Sequence, residues 1–109
     1  MILVDTSVWV DHLRKGDPRL SEALELRTVA IHPFVRGELA LGTLRERGVI
    51  LRSLAALPGV PVAEENEVLT FIDRYRLWGR GIGYVDAHLL ASVHLAPGTR
   101  LWTRDKRWR

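Results

Sequence analysis

The apolar positions of the chain fall in short clusters whose period changes along its length. Ile2-Leu3-Val4 is a continuous apolar run, partly β-branched and too short for a helix, so it reads as a buried strand ending at Asp5. The period then becomes helical: Trp9, Val10 and Leu13 share a face, with Thr6 or Ser7 placed to cap it. Gly16-Asp17-Pro18 breaks the pattern, since Asp17 suits an N-cap and Pro18 the first helical position, and Leu20, Ala23 and Leu24 form the next stripe. Val29-Ala30-Ile31 is a second strand candidate. His32-Pro33 opens a helix with Val35, Leu39 and Leu44 near the helical period, and Gly48 separates it from another over Val49 to Leu57.

The second half repeats the alternation. Val60-Pro61-Val62-Ala63 allows only an edge strand or a strand entry, because proline has no N–H to donate. Glu64-Glu65-Asn66-Glu67 places negative charge where a helix dipole favours it, and Val68, Leu69, Ile72 and Tyr75 carry that helix to about Trp78. Gly79 to Gly83 is a loop, Val85 to Leu95 a strongly apolar helix stopped by Pro97-Gly98, and Arg100 to Thr103 the last strand candidate. Short strands alternating with helices predict parallel βαβ units and an α/β/α sandwich. No repeat, linker or low-complexity segment divides residues 1–109, which read as one domain.

Composition narrows the picture only a little. With 47% of 109 residues hydrophobic there is enough apolar side chain for a core, and a net charge of +3 suits an anionic partner without requiring one. The absence of cysteine excludes disulfides and thiolate metal sites. With no signal-peptide pattern and no apolar run that spans a bilayer, a soluble cytoplasmic protein is expected, with no membrane partner.

The acidic residues change it more. Of 13, most have plain explanations as caps, first-turn charges or solvated helix faces. Four do not: Asp5 ends an apolar strand, Glu38 lies in a largely apolar helix, Asp86 heads the most hydrophobic helix, and Asp105 follows the last strand. Carboxylates are rarely buried unless paired or bound to metal. Brought to one sheet edge, these four would repel one another until a divalent cation neutralised them, and oxygen-only ligands select Mg²⁺ or Mn²⁺. Left apart, they are separate caps and surface charges. Spacing alone leaves both readings open.

Taken together, Ile2-Leu3-Val4-Asp5-Thr6-Ser7-Val8-Trp9, Gly37-Glu38-Leu39, Gly83-Tyr84-Val85-Asp86-Ala87-His88-Leu89-Leu90-Ala91 and Thr103-Arg104-Asp105 resemble the PIN domain. Within it they resemble the VapC toxins of toxin–antitoxin pairs. The resemblance covers essentially the whole chain and implies a three-layer fold around a parallel sheet, with an acidic pocket holding Mg²⁺ or Mn²⁺. By position it implies Asp5, Glu38, Asp86 and Asp105 as the catalytic acids, the three aspartates as metal ligands, and Ser7 and Thr103 as groups supporting the pocket. It also implies endoribonuclease activity on structured RNA such as tRNA or ribosomal RNA, inhibition of translation, a homodimer, and a small VapB-like antitoxin covering the pocket. Family members usually continue past the last acidic motif, so the C-terminal edge of the fold is expected to be missing from a chain ending at Arg109.

The mechanism expected is metal-assisted phosphodiester hydrolysis leaving 5′-phosphate and 3′-hydroxyl ends. Arg80, Arg104, Lys106 and Arg107 are candidates for RNA phosphate contacts, against a reading as solvated charge. Trp9 and Trp102 fit packing better than base stacking, Trp78 and Trp108 stay open, and His12, His32, His88 and His94 lack zinc-ligand spacing. The competing function is a PIN-like RNA- or protein-binding module without catalysis, which has no use for clustered carboxylates facing RNA.

Overall fold

The computed structural model describes residues 1–104 and realises the α/β expectation around a three-stranded parallel sheet. Its elements are β1 (Ile2–Val4), α1 (Thr6–Lys15), α2 (Pro18–Glu25), β2 (Val29–Ala30), α3 (Pro33–Ala40), α4 (Arg47–Ala55), α5 (Glu65–Arg74), α6 (Tyr84–Leu95) and β3 (Arg100–Trp102). The strand order is β2-β1-β3, so the apolar opening run is the central strand. Ile2 and Leu3 align with Val29 and Ala30 on one side, and Ile2, Leu3 and Val4 with Arg100, Leu101 and Trp102 on the other. Leu3 and Val4 are wholly buried, each burial stabilising the fold by roughly 1.5–3 kcal/mol.

The main core gathers Leu3, Val4, Val8, Leu20, Val29, Val35 and Leu89, while Ala63, Val68, Ala87 and Ala91 form a second cluster between α5 and α6. Helix α6 belongs to both, which is why it carries apolar residues all round. Ala87 and Ala91 lie four residues apart on one face, and their small side chains let α5 pack closely.

Several boundaries differ from the expected ones, each for a local reason. Asp5, rather than Thr6 or Ser7, is the N-cap of α1: its backbone is extended and its carbonyl accepts from Val8 and Trp9 N–H at 3.1 and 3.2 Å. Helix α3 stops at Ala40, before Leu44, where Gly42 supplies a poor helix former. Glu46 adopts φ 49°, so α4 starts at Arg47 and Gly48 lies inside it rather than ahead of it. Helix α5 ends at Arg74 because Arg76 takes a left-handed φ of 53°. Val60 to Ala63 forms no strand. Ile31 exchanges bonds with Pro58 O and Val60 N across one isolated bridge to Gly59, and Pro61 has no N–H to extend it. Asp17 and Pro18 do start α2 as cap and first residue. Among the described residues no helix is long and apolar enough to cross a membrane.

Candidate active site

In a parallel sheet the strands all end at one edge, and residues just beyond those ends share it. Here they are Asp5 after β1, Thr103 after β3 and, past Ile31, His32 after β2. The β1–β3 pairing reaches this edge, since Asp5 N–H donates to Trp102 O at 2.9 Å. Asp5 is 7% exposed, and among the described residues its carboxylate is met by three donors. Thr6 N–H reaches Oδ1 at 2.7 Å, while the Ser7 and Thr103 hydroxyls reach Oδ2 at 3.0 and 2.9 Å. An ionised carboxylate has about four acceptor positions, so three donors fix its orientation and leave capacity for a further ligand.

Thr6 connects Asp5 to the second acid. Its hydroxyl donates to Glu38 Oε1 at 2.7 Å, bringing together residues 32 positions apart. The connection rests on packing, because α1 and α3 lie against each other and Glu38 occupies the exposed side of α3 while Val35 and Leu39 are buried. Asp86 stands half-buried in the first turn of α6. Its carboxylate turns back over the N-cap, where a Cβ on Gly83 would sit 3.4 Å from Oδ2. Asp105, Lys106 and Arg107 lie outside the described residues, and Arg80 is exposed in the loop before α6.

Apart from His32, which is wholly buried and caps α3, the side chains gathered at this edge offer carboxylate and hydroxyl oxygens, the chemistry of a hard cation. Among the described residues no three acids or histidines are grouped closely enough to enclose a metal. Mg²⁺ needs no such cage, for it is commonly held by one or two carboxylates, with waters and substrate phosphate completing its shell. The oxygen set therefore fits Mg²⁺ or Mn²⁺, and no sulfur or imidazole is needed.

Three features next to the site escape sequence reasoning. His32 is wholly buried, and its Nδ1 accepts from Phe34 N–H at 3.0 Å, capping α3. Burial, then the neighbouring His88, lowers its pKa to about 4, and burial also lowers that of His88. A histidine followed by proline at a helix start was the one available signal. Second, His88 is the hub of a ring cluster: Phe34 and Tyr84 each lie with centroids 4.7 Å from it, and His32 at 6.1 Å. His32 Nε2, His88 Nδ1 and Ser92 Oγ are buried without a partner among the described residues.

Third, Arg104 pairs with two acids, its Nε 2.7 Å from Asp11 and its Nη2 2.9 Å from Asp17. Asp11 is thus half-buried and paired rather than one of the solvated helix-face acids. Burial pushes the Asp17 carboxyl up, but bonds from Arg19 N–H, the Arg104 guanidinium and Leu20 N–H outweigh it and the net shift is downward. Arg104 ties the segment beyond β3 to the junction of α1 and α2, and Arg19 lies 5.1 Å over the Trp102 ring on the same side.

Comparison with known proteins agrees with this architecture. The PIN domain family model matches residues 2–109. Over 107 residues the chain is 57% identical to Ribonuclease VapC32 of two Mycobacterium tuberculosis strains, covering 98% of this chain and 86% of each relative. With its parallel sheet and Asp5 at the strand end, the chain belongs to the PIN domain family, and within it to the VapC group.

Proposed function

We propose that the protein is a metal-dependent endoribonuclease, the toxin of a toxin–antitoxin pair, that hydrolyses phosphodiester bonds in structured RNA such as tRNA or ribosomal RNA and so arrests translation in the cytoplasm. The observation carrying this reading is the hydrogen-bonded series from Thr103 and Ser7 through Asp5 and Thr6 to Glu38. It gathers two acids from distant parts of the chain at the strand ends, where α/β enzymes place their chemistry. The likeness to relatives named ribonuclease supports the same activity.

Asp5, Asp86 and Asp105 are the residues to hold Mg²⁺ or Mn²⁺. Such an ion, when bound, supplies positive charge beside the scissile phosphate and lowers the pKa of a water. Ser7 and Thr103 hold Asp5 in one orientation, so the ligand oxygen is placed in advance. Glu38 spends Oε1 on the Thr6 hydroxyl and keeps Oε2, with no protein donor among the described residues, to accept a proton from the attacking water. The water adds to phosphorus in line, the bond to the 3′-oxygen breaks and that oxygen takes up a proton, leaving 5′-phosphate and 3′-hydroxyl ends.

The partner reading draws on a groove of about 430 Å³ beside Glu38. Val10, Leu13, Leu39 and Ile50 give it an apolar floor and Arg14 and Arg45 a basic rim, which suits an amphipathic antitoxin segment that also covers the acids. Exposed apolar residues such as Leu41 and Val49 support a homodimer.

Incubation of a folded tRNA pool with purified protein and Mg²⁺ or Mn²⁺, with EDTA in parallel, tests the function when the new ends are typed. Metal-dependent cutting that yields 5′-phosphate is expected. Cyclic phosphate, or cutting that survives EDTA, contradicts the mechanism, and binding without cutting favours the non-catalytic module.

A further inference from the structure

We propose that Phe34 and Tyr84 form a stacking platform for one unpaired nucleobase of the RNA, placed between the two acid-bearing helices. The inference rests on the ribonuclease reading and specifies its substrate: a strand whose base beside the cut is free to leave a duplex.

Phe34 and Tyr84 are 37% and 49% exposed, yet neither is a loose surface ring. Each abuts His88 at 4.7 Å, with interplanar angles of 64° and 90°, and Phe34 also meets His32 at 4.9 Å. His88 and His32 are 5% and 0% exposed, so the two outer rings stand on a floor fixed within the protein. Despite these T-shaped contacts each outer ring keeps more than a third of its surface open, which leaves area for a ligand.

Position ties the platform to the chemistry. Phe34 precedes Glu38 by four residues on α3, on the same helix face and about one turn away, about 6 Å along the axis. Tyr84 opens α6 in the same turn as Asp86. The surface is aromatic and flanked by acids, so it suits the uncharged face of a base and repels a phosphate. A paired base has both faces stacked in its helix, whereas a loop base can be splayed onto an aromatic ring. Every base has a π-face, so the platform selects single-stranded geometry rather than sequence.

The test mixes native protein, Phe34→Leu, Tyr84→Leu and the double variant with a hairpin RNA carrying 2-aminopurine in its loop. Fluorescence is followed before cutting, then KM and kcat are measured. Leucine keeps apolar bulk and removes the π-face, and melting curves check that each variant is folded. Native protein should quench the probe, and each leucine variant should lose quenching and raise KM about tenfold with kcat little changed. Phe34→Tyr and Tyr84→Phe should behave as native, which a purely volumetric role would not demand of the leucine variants' defects. Native protein that cuts the hairpin while the leucine variants match it in quenching and KM overturns the platform alone. Leucine variants that shift the oligomeric state instead assign the rings to contact with a second copy. Native protein that neither binds nor cuts overturns the ribonuclease reading and the platform with it.

Discussion

At the scale of single residues, the account turns on how Asp5 is held. Thr103 and Ser7 both donate to Oδ2, but Thr103 comes from 98 positions away and ties β3 to the site, whereas Ser7 is local. Thr103→Val keeps the shape of the side chain and removes the hydroxyl. Groups that orient a metal ligand are typically worth 10–100-fold, so cleavage by Thr103→Val should fall roughly tenfold while its melting temperature stays near native. Thr6→Val should cut the connection to Glu38 and lower kcat more than it raises KM, which steady-state kinetics would resolve. These contacts lay beyond sequence reasoning. Ser7 and Thr103 were named there through family resemblance, and nothing in the spacing of Thr6 and Glu38 indicates that they meet.

The helices make their own predictions. Above pH 6.5 buried His32 is neutral in both folded and unfolded chains, but between 6.5 and about 4 only the unfolded chain takes up its proton. Stability should therefore fall as pH drops through that window and lose nothing more from His32 below about 4. His32→Asn replaces the capping nitrogen by an amide oxygen and removes the titration, so its melting temperature should decline less between these pH values. Asp17 has the same sign in a lower range. Its pKa is below 3.8, so its contribution is present above that value and is lost as pH falls through the folded one. On α6, Ala91→Leu would force a larger side chain against α5 and should destabilise by about 1–3 kcal/mol in urea unfolding.

Elements were more legible than their ends. Continuous apolar runs mark β1 and β2, and the Asp17-Pro18 pair marks the start of α2, because strand burial and helix capping are local effects. The end of α5 depends on a left-handed residue at Arg76 and the start of α4 on another at Glu46, neither of which is a glycine. Apolar periodicity carried the expected helices past such points, since it records which side faces the core and not where the backbone turns.

Across the whole molecule, the sheet edge organises function and the remaining contacts hold it in place. Arg104 joins Asp11 and Asp17 just beyond β3, so Arg104→Ala should lower the melting temperature and loosen the segment that leads to Asp105. Sequence reading took Arg104 as a candidate for RNA contact, and its ion pairs show that much of its charge is already shared within the fold. Arg80, the other candidate, is exposed in the loop before α6, and Arg80→Ala should reduce the slope of log affinity against log salt by about one.

The central claim is that the Asp5 edge performs metal-dependent RNA cleavage, and one comparison tests it most directly. Initial rates of tRNA cleavage in Mn²⁺ would be measured for native protein and for Asp5→Asn, which keeps the size and the local hydrogen-bonding shape of the side chain while removing its charge. The account predicts a loss of at least about 100-fold with an unchanged melting curve, more than is expected for removal of an orienting group alone. Asp5→Asn protein that cuts at the native rate would place the chemistry elsewhere and contradict it.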